Sequence, residues 1–230
     1  VGSEMCIRDR PMAAESLGGL RNILAHLAVY MVVGLAILPQ FVVVYTSFLA
    51  TNGGQVFTGG FALQSYDATL FAKDNDVIWH TYFLGLCAIA AVLVLGVLIA
   101  YLSVRKRNTL NSILDVITMF PFIIPGSVLG IAFVFAFNKS PIILTGTALI
   151  MIISFAVRRM PYTVPMMMPG VLSGAIMSWV TIISELSSSI ILYTNSTQTL
   201  TVSIYTEVIR GNYGNASAYA TILTVTSILS

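Results

Sequence analysis

Apolar residues along this chain come in long uninterrupted blocks rather than at helical or strand spacing. Five such blocks stand out: Ile23–Ala50 (interrupted by Pro39), Thr81–Leu102, Ile113–Phe137, Pro141–Val157 and Val171–Tyr193. A sixth runs from Ser217 to the end. Crossing a hydrocarbon core of about 30 Å takes about 20 helical residues at 1.5 Å each. The first three and the fifth are long enough, the fourth is marginal, and the sixth stops before it could cross. The pattern predicts an all-α polytopic membrane protein of about six transmembrane helices, cut off in the last.

Composition points the same way. Of 230 residues, 57% are hydrophobic and 9% charged, where a soluble domain carries about a quarter charged residues. A net charge of +2 without a long basic run gives no reason to expect nucleic acid as a partner. Cys6 and Cys87 make no disulfide framework. The chain has no GxxxxGK[ST], HExxH or GxSxG, so no ATP site or common hydrolase site is written in it. Neither an enzyme, a cofactor nor a bound metal is expected.

Orientation follows from lysine and arginine, which cytoplasmic loops retain. With the N-terminus inside, the inner flanks carry Arg8, Arg10, Arg21, Arg105, Lys106, Arg107, Arg158 and Arg159, and the outer ones Lys73, Lys139 and Arg210. The first ten residues, VGSEMCIRDR, resemble a stretch that recurs on unrelated environmental sequences and are expected to be foreign. The bias persists without them. This reading divides the chain into a tail (1–20), a first helix with its outer loop (21–80) and a membrane domain (81–230). Trp79 and Tyr82 fall at a membrane edge as interfacial anchors, and His26 and His80 lie near opposite edges rather than as ligands.

Two blocks carry candidate chemistry. Pro121 and Pro125 in "MFPFIIPGSVLG" each remove a backbone donor and should kink or break the third helix. Gly126 and Gly130 then follow at GxxxG spacing, which lets a neighbouring helix approach closely. In the fifth block Gly170, Gly174 and Ser178 recur every four residues, and Thr181, Glu185 and Ser188 extend that face. An ionisable side chain at that depth is costly unless paired, neutral or wet. Glu185 is therefore a translocation-path candidate or a protonated acid bonding across a helix interface. No lysine or arginine is expected at similar depth. Further on, Ile204, Tyr205, Val208 and Ile209 share one helical face beside Glu207 and Arg210, predicting a short amphipathic helix at the outer surface.

The phrases "MFPFIIPGSVLGIAFVFAFNKSPIILTGTALIMIISFAVRRMPYTVP", "PGVLSGAIMSWVTIISELSSSIILYT" and "TLTVSIYTEVIRGNYGNASAYATIL" resemble the permease subunit of binding-protein-dependent ABC importers, in particular the ferric-iron permeases. The resemblance covers residues 20–230 and is strongest over 119–230. It implies a type-I importer core, a cytoplasmic ABC ATPase, an external substrate-binding protein and a second permease unit as partners, and a multi-pass place among the lipids of the cell membrane. In that family a Glu-Ala-Ala motif followed by glycine forms the coupling helix that docks on the ATPase. Here "RRMPYTVPMMMPGVLSG" holds no such motif. The joint reads as a deletion near 160–170, so the resemblance implies impaired coupling, with an inert fragment or an ion-coupled carrier using Glu185 as the alternatives.

Overall fold

The computed structural model describes residues 18–71, 76–105, 113, 117–121, 123–166 and 171–229. The chain divides into two compact units, Val1–Val42 and Val43–Ser230.

Nearly all that is described of the first unit belongs to helix α1 (Gly19–Ser47), which runs on into the second. Its 29 residues exceed the thickness of a hydrocarbon core. Leu20, Tyr30, Val32 and Leu35 are all more than 60% exposed, on every side of the helix. A helix that is apolar and exposed on every side over most of its length has the character of a membrane span.

The second unit begins with an antiparallel hairpin, β1 (Leu49–Asn52) and β2 (Val56–Phe61), in register Leu49↔Phe61 and Asn52↔Val56. The turn residues Asn52-Gly53-Gly54 make this ribbon possible, since Gly53 and Gly54 take positive φ. A short helix α2 (Gln64–Leu70) follows. Helix α3 (Val77–Arg105) contains a second segment long and apolar enough to span, Val77–Ile99.

Next come α4 (Gly126–Phe137), a two-residue ribbon of β3 (Asn138–Lys139) and β4 (Ile142–Ile143), and α5 (Ala148–Met166). Helices α6 (Val171–Ile183), α7 (Ser189–Leu192), α8 (Leu200–Arg210) and α9 (Tyr213–Leu229) complete the order. The α3 helix packs chiefly on α5 and then on α6. Their shared core is Leu84 and Ala88 with Ile150, Met151, Phe155, Ile182 and Leu192. A second core joins Val77, Leu200 and Tyr219.

Several block boundaries differ from the apolar pattern. The third block is not one helix: residues 117–121 are helical, Ile124 bends, and Pro125 is extended (φ −54°, ψ 139°) before α4. The fourth starts later than Pro141, because the β3–β4 ribbon occupies its first residues, and its helix continues past Val157 to Met166. Arg158 and Arg159 therefore lie in the middle of α5 and do not report loop charge. The fifth block ends as a helix at Ile183, ten residues short of Tyr193. Residues 167–170, with Gly170 and the heart of the expected deletion, lie outside the described residues, as do the first ten.

Candidate functional site

Glu185 sits just past the end of α6, in the turn before α7, and is 7% exposed. The helix stops there through a tightened last turn, in which the Glu185 N–H donates to the Ile182 carbonyl at 3.1 Å. That leaves the final carbonyls of α6 needing donors. Arg159 supplies one: its Nη2 donates to the Thr181 carbonyl at 2.8 Å and to Glu185 Oε2 at 2.9 Å. A cation at a helix C-terminus also meets the negative end of the helix dipole.

Arg158 lies 3.5 Å from the same Oε2 through its Nε. The other carboxylate oxygen accepts the Ser188 N–H at 3.4 Å. The Glu185 backbone carbonyl accepts hydroxyls from Ser189 (2.8 Å) and Thr201 (2.9 Å). One residue thus ties together α5, the end of α6, α7 and α8. The expectation that Glu185 lacks a cationic partner is overturned: it has two. Sequence reading missed them because two arginines directly after an apolar block look like a flank. The helix between them and Met166 is what brings them to the depth of Glu185.

Helix α4 closes the remaining side. A Cβ on Gly126 would fall on Arg158 Nη1 and Cζ and on the Ser187 side chain, so only glycine lets the guanidinium lie there. One on Gly130 would stand 3.0 Å from the Ile191 Cβ and 3.3 Å from the Ser188 carbonyl. Arg158 Nη1 is buried without a hydrogen-bond partner, as are the hydroxyls of Ser188 and Ser154. Two guanidinium groups thus meet one carboxylate, their side chains 21% (Arg158) and 14% (Arg159) exposed.

The remaining candidates are placed as follows. Ser178 and Gly174 are buried. Thr181 is half-buried and turns its hydroxyl onto its own helix, donating to the Met177 and Ser178 carbonyls. Ser188 is fully buried but belongs to the turn after α6, so it does not continue one helical stripe with Ser178 and Thr181. Pro121 lies within helical residues 117–121, and Pro125 precedes α4. The helix expected over 204–210 begins at Leu200; its first turn is buried against Val77 and Tyr219, while Tyr205, Val208 and Ile209 are exposed. Among the described residues no group of histidine, cysteine and carboxylate side chains could hold a metal.

No protein-family model matches the chain. Two curated relatives do. It is 29% identical over 222 residues to the ferric transport system permease protein FbpB of Actinobacillus pleuropneumoniae, covering 75% of this chain and 32% of that protein. It is 37% identical over 123 residues to a protein of Haemophilus influenzae described as a putative ferric transport system permease protein FbpB 1, covering 47% of this chain and 19% of that one. The chain spans about a third or less of the length of these relatives. The relatives are transport permeases rather than enzymes. With two helices able to cross a membrane, this chain is an integral membrane protein that resembles the ferric-iron permeases of ABC importers.

Proposed function

We propose that the chain is a membrane permease subunit of an ATP-driven importer, carrying ferric iron delivered by an external binding protein along an interface with a second permease unit. The observation that carries this reading is the similarity to ferric transport permeases across three quarters of the chain. Its N-terminus lies on the cytoplasmic side, a reading that rests on Arg21, Arg105, Lys106 and Arg107. The six-helix core follows from the same resemblance. Glu185, Arg158 and Arg159 act as a lock between helices: the carboxylate meets both guanidinium groups of α5, while the Glu185 carbonyl accepts hydroxyls from α7 and α8. Ser178 and Ser188 serve the helix interface, and Gly126 and Gly130 let α4 approach it.

Coupling to ATP is impaired, because no Glu-Ala-Ala motif stands between Arg159 and Val171. ATPase closure can bias a membrane element only through a differential contact. The test places the chain in vesicles with the ATPase, second permease unit and iron-binding protein of such a system. The loaded binding protein is expected to associate with the chain while ATP turnover stays unstimulated. No association overturns the permease reading; stimulated turnover overturns the impaired coupling alone.

A further inference from the structure

A groove of about 550 Å³ lies between α2 and α9, walled by Phe48, Leu63, Leu70, Ile222 and Val225, with Asp67 at its α2 edge. Its volume falls in the range of ligand sites, roughly 300–1,000 Å³. The hydroxyls in its wall are already engaged. Thr221 donates to the Ser217 carbonyl at 2.8 Å, Thr226 to the Ile222 carbonyl at 2.8 Å, and Tyr66 pairs with Ser47 at 2.8 Å. What the groove offers an occupant is hydrocarbon and one carboxylate. Among the described residues that carboxylate has no ion-pair partner.

A single bond ties the groove to the membrane-capable helix α3. The Tyr82 hydroxyl lies 2.6 Å from the Thr226 hydroxyl, which sets this end of the groove beside the second turn of α3, near the start of its membrane-capable stretch. Trp79 and Phe83 stack there at 6.1 Å, as aromatic residues do at a headgroup boundary. The rim continues into exposed apolar surface, with Phe71 78% and Val225 48% exposed. A second hollow of about 390 Å³, lined by Tyr45, Phe61 and Ala62, shares Phe48 and Leu63 as a common wall.

We propose that these paired hollows bind one aminophospholipid, its two acyl chains on either side of the Phe48–Leu63 wall and its ammonium on Asp67. The occupant must be apolar over most of its length and cationic at one end, and the groove opens where the bilayer supplies such molecules. A primary ammonium donates charge-assisted hydrogen bonds to a carboxylate, whereas a choline headgroup has no N–H to donate. An anionic headgroup without an amine is repelled.

The test uses the full chain in detergent, with added phosphatidylethanolamine, phosphatidylcholine or phosphatidylglycerol, read by native mass spectrometry of bound lipid and by thermal unfolding. Phosphatidylethanolamine is expected to be retained over phosphatidylcholine by on the order of tenfold, the ratio that one charge-assisted hydrogen bond supports. Asp67→Asn, at an exposed position, should abolish that preference while general lipid retention persists. Ile222→Trp should displace the lipid altogether. Equal retention of all three lipids, preference for phosphatidylglycerol, or a preference unchanged in Asp67→Asn would each overturn the proposal.

Discussion

Arg159 reaches across 26 positions of sequence to donate a 2.9 Å hydrogen bond to the Glu185 carboxylate, and the same nitrogen holds the Thr181 carbonyl at the end of α6. Arg158, its neighbour in sequence, meets the same carboxylate oxygen at 3.5 Å and has a buried nitrogen with no acceptor. The two arginines are therefore unequal.

That inequality orders three substitutions. Breaking a buried ion pair by removing one partner costs about 3–5 kcal/mol when the other charge is left uncompensated. Glu185→Ala strands two cations and should approach that figure. Arg159→Ala should cost less, because Arg158 remains beside the carboxylate. Arg158→Ala should be nearly neutral, since it removes an unsatisfied donor and leaves a matched pair. Thermal unfolding of the detergent-solubilised chain checks the order; a larger loss for Arg158→Ala than for Arg159→Ala would refute it.

Gly126 and Arg158 should be energetically coupled. Alanine at 126 would place its methyl on the guanidinium, and overpacking of this kind costs about 1–3 kcal/mol. In an Arg158→Ala background the penalty should largely vanish, which a double-mutant cycle measures directly. Gly34 is the control: nothing lies within 4 Å of its Cβ position, so Gly34→Ala should be neutral or stabilising through helix propensity.

Thr81 joins α3 to α8. Its hydroxyl accepts the Leu200 N–H at 2.8 Å and donates to the Val77 carbonyl at 2.8 Å, and Thr81 is only 3% exposed. Thr81→Val keeps the shape but orphans a buried N–H, a loss of about 1–3 kcal/mol. Thr81→Ser should retain most of the stability. Comparing the two unfolding midpoints separates the hydrogen bond from the packing.

Gly211 ends α8 at φ 80°, with its N–H on the Val208 carbonyl. A side chain there meets the left-handed penalty of about 1–2 kcal/mol. Gly211→Ala should lower the midpoint accordingly, and Gly211→Asn should lower it less.

The membrane character, the break near Pro125 and the amphipathic turn after Leu200 were open to a reading of the residues alone. Each depends on local chemistry: apolar run length, a missing N–H, the spacing of Ile204 and Val208. The hairpin at 49–61 is also written locally, in Asn52-Gly53-Gly54, inside the stretch whose apolar pattern reads as the end of a helix and an outer loop. The partners of Glu185 were not legible in the same way. Reading Arg158 and Arg159 as a flank assumed that the helix stops at the first charge. A helix that passes through a charged pair continues when a carboxylate on another element receives the charge, and that carboxylate lies a whole helix away.

By itself, then, the sequence determined the solvent of this protein, because the transfer of long apolar runs into hydrocarbon needs no partner to be favourable. Tertiary structure decided where the helices end and which charges meet. The cost of a buried ion is settled only by what stands within a few ångströms of it, and those neighbours come from α4, α5, α7 and α8 at once.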